Sequence, residues 1–198
     1  MSKLKVIQLL PELNIGGVER GTKDFSSALV QRGHESIVIS NGGIFEHDIV
    51  KDGARHIKIP IHKKSLFSLL LSKKLRTLYD EEKPDIVHVR SRMPAWINFY
   101  AFKGLINKPI LISTFHGLYS TPFYSRIMAS FDHVIAISKT VGRYVNDNYK
   151  THLKTPPRLI YRGADDHYFS KKYQPKVEYT KDFYKKFPNL ESKQLLTF

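Results

Sequence analysis

Val6-Ile7-Gln8-Leu9-Leu10-Pro11-Glu12-Leu13-Asn14-Ile15-Gly16-Gly17-Val18-Glu19-Arg20-Gly21 reads as an apolar strand, a glycine turn and the first turn of a helix. α/β folds build seats for anionic ligands in this way, because the helix start presents unpaired N–H groups and adjacent glycines let the backbone come close. An ordinary strand-to-helix turn needs the same residues for geometry alone. The stretch by itself leaves both readings open, and the rest of the chain has to decide.

Working outward, the spacing of Val18, Thr22, Phe25 and Leu29 predicts one buried helical stripe, ended by Arg32-Gly33. Ser36 to Ser40 is then a short buried strand, and strand, helix, strand with short joints implies a right-handed parallel crossover. The pattern repeats. Strands are expected at Ile57 to Ile61, Ile86 to Val89, Ile110 to Thr114, His133 to Ile137 and Arg158 to Tyr161. Helices are expected at Ser65 to Asp80, Pro94 to Leu105 with Pro in its first turn, Phe123 to Ser130, and from a Ser138 cap to Tyr149. This alternation predicts an α/β fold with a doubly wound, mostly parallel, Rossmann-like sheet. Ligands bind such sheets beyond the carboxyl ends of the strands, which directs attention to the loops Pro11–Gly17, Arg90–Met93, Phe115–Ser120, Ser138–Thr140 and Arg162–Asp166.

At 198 residues the chain suits one sizeable domain, and 41% hydrophobic with 25% charged residues is ordinary for a globular protein. The formal net charge of +14 is not ordinary, and it favours an anionic partner: nucleic acid, a lipid surface or a phosphorylated small molecule. With no cysteine, disulfides, thiolate nucleophiles and cysteine-ligated zinc are excluded, in keeping with a cytoplasmic setting. Gln8, Pro11 and Glu12 interrupt the first apolar run too early for a signal peptide. Leu66 to Leu71 falls far short of the roughly 20 residues needed to span a bilayer, so a soluble or peripheral protein is expected.

Taken in order, Leu13-Asn14-Ile15-Gly16-Gly17-Val18-Glu19-Arg20, Arg32-Gly33-His34-Glu35, Lys83-Pro84-Asp85-Ile86-Val87-His88, Thr114-Phe115-His116-Gly117, Val134-Ile135-Ala136-Ile137-Ser138 and Gly163-Ala164-Asp165 resemble the amino-terminal half of family-4 retaining glycosyltransferases with the GT-B fold. The order and spacing carry the resemblance, over about residues 4 to 170. It implies two Rossmann-like domains facing across a cleft, with residues 1–172 forming the acceptor-side domain. Residues 173–198 would be a linker and the start of a donor-binding domain, opened by the strand-like Gln194 to Phe198.

The resemblance further implies sugar transfer from a nucleotide-sugar to a glycan or glycolipid acceptor without a metal or other cofactor, in surface-polysaccharide or lipopolysaccharide assembly. The absence of an Asp-x-Asp motif and of paired histidine spacing agrees with a metal-free site. By similarity Gly16 and Gly17 lie against the donor's diphosphate and sugar, and His116 beside the transferred sugar, giving a hydrogen bond or a stabilising charge. His88, ending a buried strand, reads as structural. Arg90, Ser91 and Arg92, with Asn14, are candidates for gripping an anionic acceptor, while two arginines in so basic a chain are equally readable as solvated surface. Arg162 stands where many relatives carry Asn. The donor motif of the second domain is missing, so little transfer is expected of this polypeptide alone.

A basic amphipathic helix, with Lys63, Lys64, Lys73, Lys74 and Arg76 around Leu66, Phe67, Leu70, Leu71, Leu75 and Leu78, reads either as a core-facing crossover or as a contact with an anionic membrane. Two rival functions fit the composition, a noncatalytic sugar- or acceptor-binding module and a basic nucleic-acid binder. The 11 tyrosines and the lysines are dispersed, with no nucleic-acid-binding motif, and nucleic acid is not expected as a partner.

Overall fold

The structure, a computed structural model, describes residues 2–63, 68, 70–119, 122–163, 170 and 173–194. The expectations for Lys64 to Phe67, Leu69, Ser120, Ala164 to Asp166 and the terminal 195–198 run lie outside these residues. Contacts divide the chain into two compact units, Met1–Arg162 and Gly163–Phe198.

In the first unit the order is β1 (Lys5–Leu9), α1 (Gly17–Gln31), β2 (Glu35–Ser40), α2 (Glu46–Lys51), β3 (Arg55–Lys58), α3 (Leu71–Glu82), β4 (Ile86–Val89), α4 (Arg92–Phe102), β5 (Ile110–Phe115), α5 (Pro122–Ser125), β6 (His133–Ala136), α6 (Lys139–Tyr149) and β7 (Arg158–Leu159). In the second unit α7 (Val177–Lys186) stacks Tyr179 on Phe183, with ring centroids 6.4 Å apart. The sheet has seven strands ordered β3-β2-β1-β4-β5-β6-β7, every pair parallel. The winding reverses between β1 and β4. Right-handed crossovers therefore put α1 and α2 on one face and α3, α4 and α6 on the other, and open a crevice beyond the carboxyl ends of β1 and β4.

The two faces carry different chemistry. Ile7, Leu9, Ile37, Ile39, Val87, Val89, Leu111 and Phe115 join α3, α4 and α6 residues in one apolar core. On the α1 face, cross-strand partners run His56, Val38, Gln8, His88, Ile112, His133, a mostly polar row. A smaller cluster of Leu10, Leu13, Val38, Ile49 and Ala54 anchors α1 and α2 there.

Several elements differ from the sequence expectation. The buried stripe of α1 is Thr22, Ser26 and Leu29, and Phe25 is 40% exposed. The small residues are inside because they meet polar groups of the sheet: Ser26 Oγ lies 2.8 Å from Ser36 Oγ, and the Thr22 carbonyl accepts from Gln8 Nε2 at 3.4 Å. Helix α2 has no counterpart among the expected elements, since its six residues offer no full apolar period. Strand β3 ends at Lys58 rather than Ile61, although Ile59 and Ile61 are still buried. In α3, Leu75 and Tyr79 are buried in the core with Leu71 and Leu78 packed beside them, Tyr79 donating to Asn98 Oδ1 on α4 at 2.7 Å. Arg76 is turned onto α4, donating to the carbonyls of Ala101 (3.1 Å) and Tyr100 (3.0 Å). Lys63, Lys73 and Lys74 are exposed. Among the described residues no helix is long and apolar enough to cross a membrane.

The outer strands are modest. β3 carries Arg55, whose guanidinium forks onto Glu82 at 2.7 and 2.9 Å, and Lys58, while β7 has two residues.

Candidate functional site

The turn after β1 is built by the turn after β2. Leu13 N donates to the Gly42 carbonyl (2.9 Å), Asn41 N to the Pro11 carbonyl (2.9 Å) and Phe45 N to the Leu13 carbonyl (3.0 Å). Gly43, at φ +148, makes this possible: a Cβ there would lie 2.5 Å from the Leu13 carbonyl carbon and 2.8 Å from Asn14 N. Gly16 is the N-cap of α1 and Gly17 its first residue. A Cβ on Gly16 would meet the Glu19 carboxylate at 2.2 Å and one on Gly17 would meet Arg162 Nη1 at 2.6 Å, so a side chain at either position would displace the end of Glu19 or Arg162. The helix start thus faces the crevice with Glu19 folded over its cap.

Arg90 follows β4 on the other side of the crevice. It is 8% exposed, beneath the loop tip where the sequence suggested it, because its Nε donates to the Oε1 of fully buried Gln8 at 3.0 Å and its guanidinium lies 5.6 Å over the Phe25 ring. Burial, and then the charge of Arg162, bring its pKa down to about 10. A Cβ at Gly21 would be 4.0 Å from both guanidinium groups, so Arg90 and Arg162 converge over the first turns of α1. Among the described residues, no carboxylate lies within 4.0 Å of either.

His116, one residue beyond β5, accepts at Nδ1 from Arg162 Nη2 at 2.8 Å. Its Nε2 is buried and has no hydrogen-bond partner among the described residues. Burial, with Arg90 and Arg162 adding repulsion, lowers its pKa to about 3, so the ring is neutral at pH 7. His88, fully within the α1 face, pairs its Nε2 with Thr114 Oγ1 at 2.7 Å, and burial, then Arg90 and His116, hold it well below the ordinary histidine value. This bond ties His88 into the sheet, as the structural role expected of a histidine in a buried strand requires.

The remaining candidates go elsewhere. Arg92, the first residue of α4, lies 4.8 Å over Tyr119 and 5.4 Å over Tyr124 and donates to Ser125 Oγ at 3.4 Å. Ser91 is the half-buried N-cap of α4, and exposed Asn14 donates to Glu12 Oε2 at 2.9 Å. The structure therefore unites Gly16, Gly17, Arg90 and His116 with Gln8, Phe25 and Arg162, and separates Arg92 from Arg90. Gln8 carried a readable signal, an amide inside an otherwise apolar strand. Arg162 is marked by its loop beyond a strand end and by the resemblance, but not as a partner of His116, and Phe25 reads only as part of a buried stripe. Among the described residues no group of three or more His, Asp or Glu is placed to hold a metal ion. A cleft of about 480 Å³ between α6 and β7, lined by Ser138, Gly142, Arg143 and Leu159, lies apart from this cluster.

The profile of Glycosyltransferase Family 4 matches residues 15–168, from the glycine turn to beyond Arg162. The chain belongs to this family. The structure is similar to the crystal structure of a glycosyltransferase from Rickettsia africae ESF-5, with TM-score 0.78 and 32% identity over 97% of this chain and 51% of that one. It is also similar in fold to HepE of Anabaena, solved in complex with UDP and glucose (TM-score 0.67, 16% identity, 93% of this chain and 50% of that one). A further likeness is to WaaB, a lipopolysaccharide outer core galactosyltransferase in its apo form (TM-score 0.60, 13% identity, 82% and 46%). This family-4 chain spans about half the length of these structures. No curated protein sequence matches it.

Proposed function

We propose that this family-4 domain is one wall of a retaining, metal-independent glycosyltransferase site that uses a nucleotide-sugar donor. The observation that carries the reading is the pair of converging guanidinium groups, one of them 8% exposed, which have no carboxylate partner among the described residues and lie beside a helix start. Burying an unpaired charge is costly, and two like charges together more so, unless an anion joins them. A diphosphate is such an anion. The N–H groups at the start of α1 and Arg90 hold it as negative charge builds on the leaving group. His116, neutral and bearing its proton on Nε2, hydrogen-bonds the transferred sugar rather than supplying charge.

HepE, solved with UDP and glucose, supports the donor class, and WaaB supports a glycan or glycolipid acceptor in surface-polysaccharide synthesis. In that setting the protein works in the cytoplasm, with exposed Lys63, Lys73 and Lys74 available to an anionic membrane surface. Asn14, Ser91 and Arg92 remain proposed acceptor contacts, Arg92 through the tyrosines it covers. The donor's nucleotide and sugar are read by the second domain in this arrangement.

Titrating the 15N-labelled chain with inorganic pyrophosphate tests the reading. The expected result is shifts at Gly16 to Val18, Arg90 Nε and His116, with affinity falling about tenfold in Arg90→Gln, the loss of one charge-assisted contact. Shifts confined to exposed lysines, or equal binding by Arg90→Gln, would overturn it.

A further inference from the structure

We infer that Arg162 is a positioning residue that holds His116 as the neutral Nε2–H tautomer, reaching it through the space that Gly17 leaves by having no side chain. An arginine side chain has five N–H donors and no acceptor, and it stays protonated. At 2.8 Å from Arg162 Nη2, the Nδ1 of His116 must be the acceptor, so it carries no proton. The ring's proton then sits on Nε2, the buried nitrogen that has no partner among the described residues. A buried N–H with nothing to donate to is costly in a finished structure and useful in a site awaiting a ligand's oxygen.

The route is as specific as the bond. Ile160 N donates to the Ala136 carbonyl at 3.0 Å, extending the β6–β7 pairing to within two residues of Arg162. From there the guanidinium passes over the start of α1, where a Cβ on Gly17 would stand 2.6 Å from Nη1. Gly17 thus has a task separate from any ligand: it clears the path between Arg162 and His116. The titratable and charged groups acting on the imidazole are His88 from β4, Arg90 just after it and Arg162 from beyond β7, while Tyr119 from its own loop bonds the His116 backbone. Of these, Arg162 is the one bonded to a ring nitrogen.

The inference rests on the proposed function only for what the Nε2–H meets, and it is tested without any ligand. Long-range 1H–15N histidine spectra of the 198-residue chain, with His116 assigned by loss of its signals in His116→Gln, report the tautomer. The wild type should show the Nε2–H form near pH 7. Arg162→Ala should lower the ratio of Nε2–H to Nδ1–H by about tenfold, as expected for losing one charge-assisted bond. Gly17→Ala should do the same, while Arg162→Lys, which keeps a donor, should restore most of the ratio. Unchanged His88 signals show that the fold is intact.

A wild-type His116 found as Nδ1–H or as imidazolium near pH 7 would overturn the inference outright, even if every variant failed to fold. So would an unchanged tautomer in folded Arg162→Ala. A tautomer that moves in Arg162→Ala but not in Gly17→Ala would overturn the route. Absence of pyrophosphate binding, by contrast, would remove the proposed function and leave the tautomer result standing.

Discussion

The two faces of the sheet divide the work of the first unit. Under α3, α4 and α6 the strands present isoleucine, leucine, valine and phenylalanine to one continuous core, beside which Tyr79 bonds Asn98 and Ser113 bonds the Met128 carbonyl. Under α1 the same strands present Gln8, which accepts from Arg90 and donates to the Thr22 carbonyl, and His88, which pairs with Thr114. Burial on the first face yields stability roughly in proportion to area, with little dependence on angle. The second face depends on direction, since each donor needs its acceptor in place. One sheet therefore offers a scaffold and a site in the same seven strands, separated by the two-residue alternation of side chains.

Leu9 and Gln8 are neighbours in β1, both fully buried, on opposite faces, and they give the sharpest contrast. Leu9→Ala should cost about 2–5 kcal/mol in denaturant unfolding, through lost burial and the cavity left behind. Pyrophosphate affinity of the folded fraction should hardly move. Gln8→Ala should cost less, about 1–3 kcal/mol, because it leaves Arg90 Nε without its acceptor. It should weaken pyrophosphate binding as well, and the double variant with Arg90→Leu should recover part of the stability. Equal behaviour of the two substitutions would break the division.

Acid should act on the polar face. The folded pKa of His116 is lowered to about 3 and that of His88 is held well below the ordinary value, by burial first, while unfolded histidine titrates near 6.5. The unfolded chain therefore binds more protons between these values, and stability falls as the pH drops below about 6.5, by up to about 1.4 kcal/mol per pH unit for each histidine. Above that range neither contributes a slope. His116→Gln should flatten the dependence between pH 6.5 and 4.5, measured by urea midpoints, and an unchanged slope would show that the ring is charged when folded. The smallest effect belongs to the solvent side of α1. Arg20→Ala removes an exposed pair with Asp24 at 3.0 Å and should cost about 0.3–0.5 kcal/mol, lost in high salt.

The apolar face was the legible one. Runs such as Ile86 to Val89 and His133 to Ile137 announce buried strands by composition, and Gly33, at φ +81, ends α1 where Arg32-Gly33 placed the stop. The polar face was harder because its logic is pairwise. Phe25 fits an apolar stripe by period, yet it stands exposed beside His88 and Arg90, and Thr22 and Ser26 go inside because Gln8 and Ser36 meet them. Nothing local to Arg162 says that its guanidinium ends on His116, since 46 residues separate the two. Gly43 shows the same limit: its lack of a side chain matters only against Leu13 and Asn14, which the fold brings to it.

The borders of the sheet carry a consequence for handling the protein. A parallel sheet that does not close offers backbone donors and acceptors along both margins, and these invite other chains to join and aggregate. Here one margin is β3, with Arg55 forked to Glu82 and Lys58 at its end, and the other is β7, two residues long. Charge on one side and brevity on the other leave an incoming strand little to pair with. At concentrations used for spectroscopy, the seven strands should stay a closed count.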